Sequence, residues 1–144
     1  IVVHPKDPAF MPVDRDYVVA TQILDVCRRP LVLNRPSSVI SFNEKLLAVR
    51  FADLMPATRV TRHIPELRAF MQAHGGQMIV KPLDGKGGEG IFHVVEDDRN
   101  LTSILEQSTA FGKRSVMAQE YLPDVRKGDK RILLLEGEPI GAVL

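Results

Sequence analysis

Four glycines within six residues, at Gly85, Gly87, Gly88 and Gly90, constrain this chain more than any other feature. Because glycine adopts positive φ without a steric penalty, such a loop can bend sharply and bring its backbone close to a bound group. Successive free backbone N–H groups in a loop of this kind bind anions. The segment therefore predicts a tight loop that faces an anionic ligand, and the alternative reading is a solvated hairpin tip.

The residues on either side of the loop decide which kind of anion loop it is. The glycines formally match G-x-G-x-x-G, but a dinucleotide fingerprint must lead into a helix, whereas residues 91–95 are largely β-branched, as in a strand. A Walker A loop ends in glycine, lysine and serine or threonine, and this chain contains no such triplet. A protein kinase carries its lysine after the glycine hairpin, whereas here Lys81 precedes it. The order of strand, loop and strand predicts a hairpin whose tip folds over phosphates.

Composition limits the class of protein. The 144 residues are 44% hydrophobic and 26% charged, which suffices for a core in one domain or two small subdomains. A net charge of +1 gives no field to attract nucleic acid or an anionic membrane, and no apolar run approaches the roughly 20 residues of a membrane span. Cys27 is the single cysteine, so neither an internal disulfide nor a cysteine metal cluster is expected. A cytoplasmic location is therefore expected.

Periodicity and turn residues predict alternating helices and strands. Helices are predicted over 14–28, 43–54, 65–74 and 100–107, and strands over 1–4, 31–33, 57–60, 77–83, 91–95, 115–121, 130–135 and 140–144. Tyr17, Ala20, Leu24 and Cys27 recur at helical spacing, which predicts a buried face and an inert, buried thiol. The strand at 31–33 is predicted to be buried. This order indicates the α/β (α+β) class, built from small subdomains.

Five segments resemble bacterial glutathione synthetases, a family of the ATP-grasp superfamily. In chain order they are Lys6-Asp7-Pro8, Asn43-Glu44-Lys45-Leu46, residues 81–90, residues 117–123 and Gly128-Asp129-Lys130-Arg131. Met11 departs from the aspartate usual in these proteins. The resemblance implies an ATP-grasp fold in three parts: the end of an N-terminal substrate-side domain (1–42), a lid subdomain with the glycine-rich hairpin (43–121) and the start of a C-terminal subdomain (122–144).

The resemblance also implies which residues bind ATP. The expected set is Lys45, Lys81, Gly85, Gly87, Gly88, Gly90, Gln119, Glu120, Tyr121, Leu122 and Asp129, and Arg131 is expected to be catalytic. The two lysines would contact the phosphates from opposite walls under the glycine lid, the hinge 119–122 would bind the adenine, and Asp129 the ribose. Without the resemblance, Lys45 and Arg131 are ordinary surface residues.

The implied reaction joins γ-glutamylcysteine and glycine into glutathione through an acyl phosphate, at the expense of ATP. The implied Mg²⁺ is expected to take its ligands beyond residue 144, because the acidic pair Asp97-Asp98 is expected to be a solvated turn. The chain is therefore expected to be an incomplete piece that is inactive alone. The expected partners are small molecules, and neither nucleic acid nor a membrane is expected. The sequence does not decide whether the protein forms a homo-oligomer. The alternatives are another ATP-grasp carboxylate–amine ligase, a non-catalytic ATP-binding module and an α/β domain without a ligand.

Overall fold

The computed structural model describes residues 2–3, 15–29, 31–85 and 87–143. The helices are α1 (Arg15–Asp25), α2 (Pro36–Ser41), α3 (Glu44–Ala48), α4 (Ile64–Ala73) and α5 (Leu101–Ser108), with 3₁₀ helices at Val49–Leu54 and Pro123–Lys127. The strands are β1 (Val2–Val3), β2 (Val32–Leu33), β3 (Thr58–Thr61), β4 (Gln77–Pro82), β5 (Phe92–Val95), β6 (Val116–Gln119), β7 (Arg131–Leu135) and β8 (Glu138–Val143). Pro5, Pro8, Pro12, Pro30 and Lys86 lie outside the described residues.

A four-stranded antiparallel sheet with the order β3-β6-β4-β5 forms the centre of the molecule. Helices α4 and α5 pack on one face of it. The core between them consists of Leu67, Met71, Met78, Val80, Val94, Leu101, Leu105, Val116 and Ala118. Strand residues alternate between faces, so Met78 and Val80 on β4 meet these helices while their neighbours point the other way.

The other face of this sheet carries polar groups in register. Ile79 pairs with Gln119 on one side and with His93 on the other, and Gln119 also pairs with Thr58. Directly opposed residues of an antiparallel pair project to the same face. We call the surface formed by Thr58, Gln119, Ile79, His93 and Lys81 the second face.

Local signals explain why α4 and α3 begin and end where they do. Pro65 occupies the first turn of α4, where its missing N–H leaves no bond unmade. Gly75 and Gly76, at φ of 74° and 72°, end that helix with the Gly76 N–H donating to the Met71 carbonyl. Asn43 caps α3, because its side-chain oxygen accepts hydrogen bonds from two backbone N–H groups of the first turn.

Three sequence-based expectations are wrong. Helix α1 ends at Asp25, before the predicted end at residue 28, so Cys27 lies beyond the helix and is exposed. The strand at 31–33 is not buried as expected, because Leu31 and Leu33 are exposed and Val32 is only partly buried. The helix expected over 43–54 breaks after α3 and continues as a 3₁₀ helix with a non-helical residue at Phe51 (φ −116°, ψ 46°).

Strands β7 and β8 form a separate hairpin around the turn Glu136–Gly137, and β8 begins at Glu138, two residues before the strand predicted over 140–144. Both turn residues have positive φ, 51° and 89°. Every residue from 131 to 143 is exposed. The three-part division at 42/43 and 121/122 stays a prediction. None of the helices in the described ranges has the length and apolar character needed to span a bilayer.

Candidate functional site

The glycine loop connects β4 to β5 at the end of the second face. Gly85, Gly87, Gly88 and Gly90 all have positive φ, at 109°, 61°, 85° and 68°. A Cβ at Gly90 would lie 3.2 Å from the Pro82 Cγ, so packing as well as φ requires glycine there. No atom of the described residues would lie within 4 Å of a Cβ at Gly87 or Gly88. The loop tip therefore leaves its backbone open to an approaching group.

Lys81 lies on β4 just before this loop, and a short relay of hydrogen bonds positions its ammonium. Its Nζ donates to the Gln119 Oε1 at 2.5 Å. The Gln119 amide nitrogen donates in turn to the Thr58 Oγ1 at 2.9 Å, and that hydroxyl donates to the Pro56 carbonyl at 2.8 Å. An ammonium has three donors, and within the described part of the chain Gln119 is the acceptor for Lys81, which leaves two donors there for a ligand.

Burial lowers the pKa of Lys81, and the positive charge of Lys45 lowers it further. Both causes disfavour the charged form of the ammonium. A nearby anion acts in the opposite direction, because it favours the charged form. The charged form of Lys81 on the second face is therefore stabilised when a negatively charged group binds beside it.

Lys45 reaches the loop from α3. Its Nζ donates to the Gly85 carbonyl at 3.0 Å and to the Glu44 carboxylate at 3.4 Å, and its side chain is only 16% exposed. Asn43 Nδ2 donates to the Leu83 carbonyl at 2.9 Å. The start of α3 is thus bonded at two points to the beginning of the loop. Two lysines from different elements lie beside a loop with open backbone N–H groups, which suits a polyanion such as a triphosphate.

The hinge 119–122 leaves the sheet beside Lys81. Gln119 ends β6, and the Glu120 N–H donates to the Ala57 carbonyl at 2.9 Å. The Tyr121 ring stacks on His93, and Leu122 is 49% exposed. The structure thus brings the hinge, the two lysines and the glycine loop together at one end of the sheet.

Asp129 and Arg131 lie apart from this cluster, at the entry to the β7–β8 hairpin. Both side chains are exposed, and Arg131 pairs with Val143 through the backbone. Among the described residues, neither side chain makes a hydrogen bond or ion pair to the lysines or to the loop. Their predicted roles stay predictions.

The described residues contain no group of three or more histidine, cysteine, aspartate or glutamate side chains that could hold a metal ion. Mg²⁺ prefers several carboxylate and phosphate oxygens. These residues therefore do not fit a protein-built magnesium site.

The sequence analysis missed three residues that shape the site. Asn43 is the first residue of the helix predicted over 43–54, where an asparagine cap was a readable signal; its bond to the loop was not. Thr58 and His93 gave no such signal, because their contacts depend on which strands pair and in which register.

Two solved structures are similar to this chain in fold. The chain aligns with the RimK-domain ATP-grasp protein from Sphaerobacter thermophilus at a TM-score of 0.59 and 21% identity, over 81% of this chain and 46% of that one. It aligns with the ATP-grasp ligase PsnB, solved with a minimal precursor, at a TM-score of 0.58 and 21% identity, over 95% of this chain and 47% of that one. The fold is therefore that of an ATP-grasp protein, as the sequence indicated.

Within this class, the chain belongs to the prokaryotic glutathione synthetase family, whose ATP-grasp domain model matches residues 44–144. It is 53% identical to the glutathione synthetase of Gloeobacter violaceus, over 96% of this chain and 44% of that protein. It is 46% identical to the glutathione synthetase of Agrobacterium fabrum, over 99% of this chain and 44% of that protein. The chain thus spans somewhat less than half the length of these curated relatives.

Proposed function

We propose that this chain supplies the ATP-binding part of a ligase that joins γ-glutamylcysteine and glycine to form glutathione, ADP and phosphate. The observation that carries the proposal is the pair of lysines beside the glycine loop. Lys81 is held by Gln119, and its pKa is lowered first by burial and then by the charge of Lys45. Two positive charges that repel each other beside one loop favour the binding of a polyanion. Family membership specifies ATP as that polyanion.

The proposed roles follow from where each residue lies. Lys81 and Lys45 neutralise the phosphates from two walls, and Gly85, Gly87, Gly88 and Gly90 cover them with backbone N–H groups. Gln119, Glu120, Tyr121 and Leu122 form the adenine wall. Asp129 is proposed to bind the ribose, and Arg131 to be the catalytic residue at the transferred phosphate.

The chemistry asks for charge neutralisation and exclusion of water. A carboxylate oxygen of γ-glutamylcysteine attacks the γ-phosphorus, ADP leaves, and the acyl phosphate forms. The glycine amine then attacks the acyl carbon, loses a proton and expels phosphate. Phosphoryl transfer depends mainly on positioning and electrostatic stabilisation, which the lysines supply, and a glycine lid protects the labile acyl phosphate from water.

The remaining parts of the proposal concern the whole protein. We propose the division into residues 1–42, 43–121 and 122–144 given by the resemblance, and a cytoplasmic enzyme with small-molecule substrates. Mg²⁺, if used as in such chemistry, would take its protein ligands from residues other than those described. A homo-oligomer is compatible with this proposal but has no specific support.

Titration of a non-hydrolysable ATP analogue into the complete protein tests the phosphate site. Lys81→Met is expected to weaken binding by about 10- to 100-fold, since a hydrogen bond to a charged group contributes about 1.5–3 kcal/mol. The same variant is expected to retain its thermal stability, because it removes a desolvated cation that Lys45 repels. Lys113→Met, at an exposed lysine of the turn after α5, is the matched control. Unchanged affinity in Lys81→Met would refute the proposal.

A second measurement tests the acceptor. ADP release by the complete protein is expected to require both γ-glutamylcysteine and glycine. Release with a different carboxylate–amine pair, but not with this one, would favour another ATP-grasp ligase. Tight binding of the analogue without ADP release under any pair would favour a non-catalytic ATP-binding module.

A further inference from the structure

A stack of two rings crosses the second face beside the hinge. The ring centroids of His93 and Tyr121 lie 3.9 Å apart with an interplanar angle of 13°. His93 belongs to the edge strand β5 and Tyr121 follows β6, and β4 lies between these two strands. The stack therefore connects β5 with the residues that follow β6, although these two strands form no backbone hydrogen bonds with each other. It spans the position of Ile79, which pairs with His93 on one side and Gln119 on the other.

Each ring is also held from outside the stack. The His93 Nε2 lies 3.0 Å from the Gln77 Oε1, which accepts a hydrogen bond when Nε2 carries the proton. The Arg126 Nε donates to the Tyr121 hydroxyl at 2.9 Å, and its guanidinium carbon lies 5.9 Å from the centre of the Tyr121 ring. Rotation of either ring breaks a hydrogen bond as well as the stack.

The hinge backbone is anchored on its opposite side by the sheet itself. The Glu120 N–H donates to the Ala57 carbonyl at 2.9 Å, next to the start of β3. Residue 120 is thus tied toward one edge of the sheet, and Tyr121 is tied toward the other edge through His93. The position of the backbone groups of 120–122 depends on both attachments.

We infer that His93 is a positioning residue for the base of the nucleotide. By stacking on Tyr121, it holds the hinge where its backbone groups can bind the edge of adenine. This inference rests on the proposed function, since the base site is itself proposed. The effect is expected on the base, because the lysines that would bind the phosphates bond to Gln119, which is still in β6, and to the Gly85 carbonyl, and not to either ring of the stack.

Two probes separate the base from the phosphates: a non-hydrolysable ATP analogue and inorganic triphosphate, each titrated into the complete protein. An aromatic pair contributes modestly, so His93→Ala is expected to weaken the analogue by about 3- to 10-fold. Triphosphate affinity is expected to stay unchanged. His93→Phe is expected to restore analogue binding, because a phenyl ring stacks on Tyr121 without the bond to Gln77. His63→Ala, at an exposed histidine before α4, is the matched control and should behave as wild type.

Three results would overturn the inference. Wild-type analogue affinity in His93→Ala would show that the stack does not position the hinge. Equal weakening of both probes would show a general loss of lid structure, and a failure of His93→Phe to rescue would exclude stacking as the cause. Failure of the proposed function looks different, because the Lys81→Met variant would then bind the analogue as wild type does, whatever His93→Ala does.

Discussion

The four-stranded sheet and the β7–β8 hairpin are made of similar residues and differ in what covers them. Val80 and Ala118 in the sheet are 0% exposed, whereas Ile132 and Leu134 in the hairpin are 60% and 63% exposed. Both regions are antiparallel and rich in apolar side chains. Helices α4 and α5 cover one face of the sheet, and within the described residues no comparable layer lies on the hairpin.

This difference separates the propensity to form strands from the free energy that keeps them folded. β-branched and apolar residues favour strands in both regions. Full burial of one aliphatic side chain, however, contributes about 1.5–3 kcal/mol to the free energy of unfolding. Of the two regions, the sheet has fully buried side chains and the hairpin does not. A two-stranded hairpin without a packed face is marginally stable in water. The stability of this chain is therefore concentrated in the sheet that carries the candidate site.

The largest expected effect comes from matched leucine deletions in the two regions. Leu105→Ala removes a fully buried side chain of α5 and is expected to lower the free energy of unfolding of the 144-residue chain by about 2–5 kcal/mol. Leu134→Ala is expected to change it by no more than about 0.5 kcal/mol, because that side chain is exposed. Urea denaturation measures both. Similar losses would mean that the hairpin is covered in solution and would remove the contrast.

A second, smaller contrast uses two glycines with positive φ. Gly90→Ala forces a left-handed alanine at φ 68° against Pro82 and is expected to destabilise the sheet by about 1–2 kcal/mol. Gly137→Ala is also strained, at φ 89°, but it lies in the turn of the separate β7–β8 hairpin, so the thermal unfolding of the sheet should be unaffected. A larger shift in melting temperature for Gly137→Ala would show that the hairpin supports the sheet.

The smallest effect is a pH dependence that only the sheet should show. Burial first, and the charge of Lys45 second, lower the pKa of Lys81 in the folded chain. In the window between that lowered pKa and the ordinary lysine value, the unfolded chain binds more protons than the folded chain, so stability rises with pH. Lys81→Met is expected to abolish this rise, and Lys130→Met, at an exposed lysine before β7, to retain it. Denaturation curves up to about pH 10 measure this; an identical slope in all three proteins would contradict it.

The parts of the fold that sequence could predict are those with local causes. Gly75 and Gly76 end α4 and Pro65 begins it, and the glycine loop follows a strand and precedes another, as predicted. These features depend on backbone conformation within a few residues, which the residue types control directly. The family that was expected from five segments in the same order along the chain is likewise confirmed.

The parts that sequence could not predict depend on tertiary context. The hydrogen bond from Lys81 to Gln119 joins residues 38 positions apart and exists because β4 pairs with β6 in one register. The exposure of Cys27 follows from the early end of α1, and the helical spacing of its neighbours did not contain that information. The roles of the predicted site residues stay predictions, and the contacts that hold Lys81 and Tyr121 were visible only in the structure.

Asn43 has a consequence for how the loop can move. Its Oδ1 accepts from the backbone N–H groups of Lys45 and Leu46, while its Nδ2 donates to the Leu83 carbonyl. One amide side chain thus bonds the first turn of α3 and the base of the glycine loop at once. When the loop swings away, Asn43 must release either Leu83 or the helix turn. If it releases the helix turn, the amides of Lys45 and Leu46 lose their acceptor. Hydrogen–deuterium exchange at these two amides would then report loop opening from outside the loop.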